Sequence, residues 1–233
     1  MIEWLDCKRI AERINNSSYN ALCGKTATLA VIGYDGDLDD KRYIKGLERD
    51  GEALGVRVTI APVINPDSVL LIGDYRLARD KTYLDVDGVS EYTPWGRAVT
   101  RAVEIALDEF CGNRRYNIVV IGRGAVGTQI AQAMLRLDHT VTICHSYTDK
   151  SQLKRAIASA DVCITAARGT FSIDLIDHSM TVIDASYSFK PKAGEENSAE
   201  PYIRMTPAKD GVGAITRAVL LSRVADNVSR RKR

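Results

Sequence analysis

The stretch Ile118-Val119-Val120-Ile121-Gly122-Arg123-Gly124-Ala125-Val126-Gly127 decides the fold. It joins an apolar, β-branched run to a full G-x-G-x-x-G, and an apolar helical pattern follows at residues 130–135. In this context Gly122 permits a tight turn, Gly124 lets the backbone approach a pyrophosphate, and Gly127 lets helix and strand pack closely. The first helical residues, Ala125 and Val126, offer backbone N–H groups to phosphate. The stretch therefore predicts a dinucleotide-binding strand–turn–helix.

The next strand indicates which dinucleotide is preferred. An NAD enzyme usually ends this strand with an acid that binds the ribose 2′-hydroxyl, but here Thr140–Ile143 runs into Cys144-His145-Ser146-Tyr147-Thr148. Arg123 in the preceding turn is able to neutralise a 2′-phosphate. These residues predict NADP, with NAD possible. We expect His145 and Ser146 to lie beside the adenosine, and His145 not to act as a general base, because nothing in the sequence pairs it with an orienting acid.

Strand and helix patterns alternate on both sides of this unit, which is typical of a parallel sheet. Strands are predicted at Ala27–Gly33, Val56–Ile60, Ser68–Gly73, Asn117–Ile121, Thr140–Cys144, Asp161–Thr165 and Thr181–Asp184. Helices are predicted at Asp6–Leu22, Lys41–Leu54, from Pro94 onward, and at Val126–Leu135, Lys150–Ala158 and Gly211–Val228.

The predicted fold class is α/β, with a Rossmann-type doubly wound parallel sheet and a smaller, truncated N-terminal α/β domain. We assign residues 1–112 to the N-terminal, substrate-side domain and residues 113–207 to the NAD(P)-binding domain. The C-terminal helix within 208–233 is expected to pack back on the first domain.

Composition excludes several classes of protein. The 233 residues are 45% hydrophobic, which is ordinary for a globular chain, and the net charge of +2 is too small for a nucleic-acid-binding surface. Five scattered cysteines suggest neither a disulfide framework nor a metal site. No apolar run reaches the ~18 residues of a membrane span, and the acidic start does not resemble a signal peptide. We expect a cytoplasmic protein without a membrane or nucleic-acid partner.

Several motifs occur in a fixed order along nearly the whole chain. They are Tyr43 twelve positions before Gly55, Asp85–Gly88, Tyr92–Gly96, Thr140–Thr148, Val182–Asp184, Met205–Pro207 and Asp210–Thr216. In this order the chain resembles the methylenetetrahydrofolate dehydrogenase/cyclohydrolase family. The runs T-V-T-x-C-H-S-x-T and G-V-G-x-x-T are the most specific parts of the resemblance.

The resemblance implies roles for residues outside the glycine-rich turn. Tyr43 would border the folate, Asp87 would hydrogen-bond the pterin amino group, and Gly211 and Gly213, leading to Thr216, would lie beside the nicotinamide. Each residue also has a plain structural explanation, as a helix-surface aromatic, a turn former or a flexible helix entry. The family implies an NADP-dependent oxidoreductase of one-carbon metabolism that takes a folate substrate and forms a homodimer through its cofactor domains.

The sequence also departs from the family pattern. Leu47 stands where the family has its catalytic lysine, four residues after Tyr43, and Lys45 belongs to another side of that helix. The family also has a glutamine that is missing here, near Ile72-Gly73-Asp74-Tyr75. The cofactor turn is one residue shorter than in the family, and about one strand–helix unit of the family's first domain is absent between Val56 and Asp85. Hydride transfer from methylenetetrahydrofolate to NADP⁺ needs mainly positioning, whereas hydrolysis of the methenyl product needs water activation.

The sequence therefore predicts a dehydrogenase whose cyclohydrolase activity is weak or absent. Two alternatives stay open: a non-catalytic or regulatory nucleotide-binding relative, and a dehydrogenase of a smaller, non-folate substrate.

Overall fold

The computed structural model describes residues 1–32, 38–60, 68–71, 84–89, 94–167, 173–186 and 201–230. The strands in these ranges are β1 (Ile2–Trp4), β2 (Ala27–Ile32), β3 (Val56–Ile60), β4 (Ser68–Leu71), β5 (Asn117–Ile121), β6 (Thr140–Cys144), β7 (Val162–Thr165), β8 (Met180–Asp184) and β9 (Ile203–Met205). The helices are α1 (Cys7–Leu22), α2 (Leu38–Glu52), α3 (Ala98–Cys111), α4 (Ala125–Arg136), α5 (Lys150–Ala158) and α6 (Val212–Arg230), with a short 3-10 turn at Ile173–Leu175.

The chain divides into two compact units. One comprises Met1–Lys8 and Ala102–Gly213, and the other comprises Arg9–Arg101 and Ala214–Arg233. The first unit holds a six-stranded sheet in the order β1-β9-β8-β7-β5-β6, in which every described pairing is parallel. The second holds a three-stranded parallel sheet in the order β3-β2-β4. The parallel sheets and intervening helices confirm the predicted α/β class.

The six-stranded sheet is built from strands whose apolar runs are continuous. Every residue of β7 and β8 is buried, as expected for parallel strands that are covered on both faces. Val119, Cys163 and Val182 from three neighbouring strands belong to one apolar cluster. This core fixes the positions of the carboxyl ends of the strands.

The first residues of the chain correct one sequence assignment. The sequence places residues 1–8 in the N-terminal domain, but Ile2–Trp4 pairs residue by residue with Ile203–Met205 in the six-stranded sheet. The N–H of Leu5 continues this attachment by donating to the carbonyl of Met205 at 2.8 Å. Strands of three residues are too short to show a readable periodicity, so neither β1 nor β9 was predictable from its own residues.

The start of α3 is a second correction. The sequence predicts that the helix opens with Pro94 in its first turn, whereas α3 begins at Ala98. The Ala98 N–H donates to the backbone carbonyl of Asp87 at 2.9 Å and lies 3.4 Å from its carboxylate. A distant turn therefore satisfies the first helical N–H group, and this long-range cap fixes the helix start.

Helix α6 is buried along most of its length, and every residue from Val212 to Leu221 is buried. In the second unit Ala214 and Ala218 pack on Ala11 of α1, and the Ser229 hydroxyl donates to the carbonyl of Ala21 at 2.9 Å. Among the described residues no helix combines the length and the hydropathy of a membrane span. The same ranges contain no group of three potential metal ligands.

Candidate functional site

The sheet order places a topological switch point at β5, because β6 lies on one side of β5 and β7 on the other. Ligands of open α/β sheets bind at the carboxyl ends of strands at such a point. Gly122 follows β5 with φ +125°, and a Cβ built there would lie 2.8 Å from the carbonyl carbon of Ala166, which follows β7. A Cβ on Gly127 would overlap the Gly122 carbonyl oxygen. Neither position accepts a side chain without movement of the backbone.

The N-terminus of α4 has the geometry of an anion site. Gly124 is the N-cap, with φ −67° and ψ −178°, and as a glycine it has no side chain to accept from the first N–H groups of the helix. A Cβ built on Gly124 would meet no atom of the described chain within 4 Å. The helix therefore begins at Ala125 without a side-chain cap, beside a space that holds no atom of the described chain. A dinucleotide pyrophosphate fits this arrangement.

The segment after β6 forms a tight turn. The His145 N–H donates to the Thr148 hydroxyl at 2.9 Å, and the Thr148 N–H donates back to the His145 carbonyl at 2.9 Å. The imidazole Nδ1 accepts from the Tyr147 N–H at 3.1 Å. Because Nδ1 is an acceptor here, the neutral ring carries its proton on Nε2. His145 therefore helps to shape the turn, on which Ser146 is exposed.

Arg123 is held beside the same turn. Its guanidinium carbon lies 5.6 Å from the centre of the Tyr147 ring, a cation–π distance, and that ring is itself edge-on to His145 at 6.0 Å. This arrangement brings a cation to the end of β6, where the ribose 2′-position of a bound dinucleotide lies in this fold. The sequence did not identify Tyr147 as the partner of Arg123, although its position directly after Ser146 was a usable signal.

The remaining predicted cofactor residues lie at the start of α6. A Cβ on Gly211 would overlap the carbonyl oxygen of Pro207, so this tight entry requires glycine. Gly213 follows in the first turn of α6, and both glycines belong to the six-stranded unit. Thr216 is buried further along α6 and belongs to the other unit.

A buried polar cluster that the sequence did not single out lies at the ends of β7, β8 and β9. It comprises Thr165, Asp184, Ser186 and Thr206, which are joined by hydrogen bonds of 2.6–3.3 Å. Asp184 and Thr206 occur in motifs that support the family resemblance, but neither position has an implied role. The four residues lie at the ends of three different strands, so their proximity could not be predicted from the local sequence.

In the second unit, α2 carries the residues that the family would use on the folate side. Tyr43 is half-buried, and Leu47, one helical turn later, has no exposed surface. Lys45 is exposed on a different side of the helix. The position of the family lysine is therefore occupied by a core residue. The segment Ile72–Tyr75, compared above with the family glutamine, lies outside the described residues.

A buried arginine from α6 lies against the same helix. Arg217 donates from Nε to Asp50 Oδ2 at 2.7 Å, and the two side chains are 11% and 15% exposed. Its Cζ would be 3.1 Å from a Cβ on Gly46, so the glycine makes room for the guanidinium. This cation, which the sequence did not reveal, is not a candidate general base, because a guanidinium stays protonated.

Asp87 lies in a turn that faces two arginines. Its Oδ2 is 3.4 Å from the Arg97 guanidinium, and Arg223 donates to the neighbouring Val86 carbonyl at 2.6 Å. Burial raises the pKa of the Asp87 carboxyl, with Arg97 acting in the opposite direction. Asp85 shapes the turn by accepting from the Asp87 N–H at 2.9 Å. The predicted pterin contact is thus a half-buried carboxylate with a neighbouring cation, and Arg97 is a residue that sequence reasoning missed.

The chain is similar to proteins of one known family. The family model for the tetrahydrofolate dehydrogenase/cyclohydrolase NAD(P)-binding domain matches residues 98–232. The bifunctional protein FolD of Pseudothermotoga lettingae is 36% identical over 121 residues, which cover 48% of this chain and 44% of that relative. FolD 2 of Myxococcus xanthus is 28% identical over 249 residues, covering 87% of this chain and 85% of the relative.

The fold is shared over the whole length of a solved relative. The structure of Trypanosoma brucei N5,N10-methylenetetrahydrofolate dehydrogenase-cyclohydrolase, complexed with NADP cofactor and an inhibitor, aligns with a TM-score of 0.75 at 18% identity. That alignment covers 99% of this chain and 98% of the other. The comparisons confirm the predicted family, the oxidoreductase class and the NAD(P) cofactor. This chain belongs to the tetrahydrofolate dehydrogenase/cyclohydrolase family.

Proposed function

We propose that this protein is an NADP-dependent methylenetetrahydrofolate dehydrogenase. The observation that carries the proposal is the open, uncapped N-terminus of α4 at the switch point, inside the domain that the family model matches. NADP⁺, when bound, accepts a hydride from the methylene carbon of the folate and leaves methenyltetrahydrofolate. The protein's contribution is to hold the two reactants together.

The residues divide this work between the two ends of the reaction. Gly124 lets the chain approach the pyrophosphate, Gly122 and Gly127 allow the tight turn and close packing beside it, and Arg123 neutralises the 2′-phosphate. The turn at His145 and Ser146 supports the adenosine end, and Gly211 and Gly213, with Thr216, border the nicotinamide. On the folate side, Tyr43 contacts the ring system and Asp87 accepts from the pterin amino group.

The same proposal includes weak or absent cyclohydrolase activity. Ring opening of the methenyl group requires an activated water and a proton donor. Leu47 offers neither, since its side chain is aliphatic and buried, and Lys45 is exposed on another side of α2. Arg217 supplies positive charge on this face, but it is paired with Asp50, and a guanidinium group is not suited to act as a general acid or base.

One contact favours a second candidate, a dehydrogenase of a smaller, non-folate substrate. Arg97 partly neutralises the Asp87 carboxylate, which makes it a weaker acceptor for a pterin amino group. A substrate with a carboxylate or carbonyl group would use Arg97 instead. Formation of NADPH with such a substrate, but not with a folate, would favour this candidate.

We also propose a homodimer that forms through the NAD(P)-binding domains. β6 is an edge strand of the six-stranded sheet, and Leu135, Leu137 and Ile143 near it are each more than 40% exposed. An exposed edge with apolar neighbours is suited to pairing with a second copy. Sedimentation at micromolar concentration tests this proposal, and a monomer throughout would contradict it.

The test of the folate activity follows NADPH formation by absorbance with NADP⁺ and methylenetetrahydrofolate. Asp87→Asn should reduce the rate by about tenfold or more, because a neutral amide loses a charge-assisted hydrogen bond. Tyr43→Phe should raise KM for the folate by less than about tenfold. Tyr19→Phe, a change at an exposed tyrosine of α1, is the matched control and should leave both constants unchanged. Full activity in Asp87→Asn would contradict the proposed role of Asp87.

A further inference from the structure

The buried cluster at the ends of β7, β8 and β9 is centred on one carboxylate. Oδ1 of Asp184 accepts from the Thr165 hydroxyl at 2.6 Å, from the Ser186 N–H at 3.0 Å and from the Ser186 hydroxyl at 3.2 Å. The Asp184 N–H donates to the Thr206 hydroxyl at 2.8 Å. Thr165, Asp184 and Thr206 are 1%, 5% and 1% exposed. A charged group this deep is tolerated because donors surround it.

The cluster joins two segments that border the proposed cofactor site. On one side, Thr165 leads into Ala166, on which Gly122 of the glycine-rich turn rests. On the other side, Thr206 leads into Pro207, whose carbonyl oxygen lies where a side chain of Gly211 would be. Asp184 thus connects the turn that holds the pyrophosphate to the loop that enters α6.

We infer that Asp184 is a positioning residue that sets the nicotinamide loop relative to the phosphate turn. The inference rests on the proposed function, because it assumes that a dinucleotide lies across this edge of the sheet. The hydrogen bonds that join residue 184 to Thr165 and to Thr206 keep the Gly211 loop fixed relative to the Gly122 turn. Without the hydrogen bond to Thr206, the adenosine and pyrophosphate contacts would remain, whereas the nicotinamide would lose its fixed orientation.

The variants separate the two ends of the cofactor. Thr206→Val keeps the shape of the side chain and removes the hydroxyl that accepts from the Asp184 N–H. Asp184→Ala leaves that N–H in place and removes the carboxylate that accepts from Thr165 and Ser186. Asp184→Asn keeps an oxygen at Oδ1 that can accept the same three hydrogen bonds, so it should restore most of the function. Thr181→Val is the matched control, since Thr181 is a buried threonine at the opposite end of β8.

Two measurements report on each variant. Fluorescence of bound NADPH reports on immobilisation of the nicotinamide and needs no turnover, and displacement by 2′,5′-ADP reports on the adenosine end. Thr206→Val and Asp184→Ala should lose most of the fluorescence enhancement while the Kd for 2′,5′-ADP changes by less than about twofold. With the folate substrate, their kcat should fall roughly tenfold or more with a smaller change in KM. Asp184→Asn and Thr181→Val should resemble the wild type.

The outcomes distinguish this inference from the proposed function. If the wild type binds NADPH but does not oxidise the folate, the proposed function fails, and the fluorescence comparison still decides the role of Asp184. If Thr206→Val and Asp184→Ala match Thr181→Val in fluorescence and kcat, the inference is wrong. Equal loss of NADPH and 2′,5′-ADP binding would also overturn it, since that result would show a merely structural cluster. A wild type that does not bind NADPH would overturn both.

Discussion

Replacing Gly124 by alanine tests whether the space above α4 belongs to a ligand. The added Cβ would meet no atom of the described chain within 4 Å, and φ at this residue is −67°, which alanine adopts freely. The substitution should therefore leave the melting temperature unchanged or raise it slightly, because it removes about 0.4–1 kcal/mol of unfolded-state entropy. The same Cβ would project into the path of the pyrophosphate.

The expected loss follows from the contacts that the pyrophosphate would make. A hydrogen bond from a backbone N–H to a charged phosphate contributes about 1.5–3 kcal/mol, so losing one of them corresponds to roughly 10- to 150-fold in Kd. The assay is titration with NADPH, beside thermal unfolding of the same preparation. Gly96→Ala is the control, because a Cβ there also meets nothing within 4 Å and the residue lies in the other unit. Unchanged NADPH affinity in Gly124→Ala would refute the assignment of the phosphate site.

Arg123→Ala should weaken the binding of NADP⁺ by about tenfold and that of NAD⁺ by less than about twofold. The control is Arg136→Ala, at the far end of α4 about 18 Å away, which should change neither affinity, since charges are screened within about 8 Å. Asp50→Ala should lower the free energy of unfolding by about 3 kcal/mol, measured in urea, because it leaves a buried arginine of α6 uncompensated. Arg115→Ala breaks an exposed ion pair and should cost less than about 1 kcal/mol; equal losses would contradict this difference. Leu47→Lys should destabilise the fold by at least about 3 kcal/mol and restore no methenyl hydrolysis, because the position is fully buried. A gain in methenyl hydrolysis would show that the cleft still accepts the lysine.

Much of the fold was predictable because its signals are local. The strand Asn117–Ile121, the glycine-rich turn and the helix after it occur together in the sequence, and the structure has all three elements. The start of α3 was wrong by four residues, because the proline at 94 was a local signal while the cap at Ala98 comes from Asp87. β1 was missed because its three residues take their conformation from pairing with β9.

The site divides in the same way. The glycine-rich turn could be predicted, since its three glycines stand at fixed spacing between a strand and a helix that are adjacent in the sequence. The position of Arg217 could not, because it depends on the absence of a side chain at Gly46 and on Asp50, both on another helix. Asp184 was visible only as part of a motif, since its partners come from two other strands.

One time course tests the central claim most directly. Purified protein is mixed with NADP⁺ and methylenetetrahydrofolate, and NADPH and methenyltetrahydrofolate are followed together by absorbance. We predict that the two products appear in equal amounts, and that the methenyl compound then disappears at the rate measured in buffer alone. Methenyl hydrolysis well above the buffer rate would contradict the loss of cyclohydrolase activity, and no NADPH formation with any folate would contradict the dehydrogenase itself.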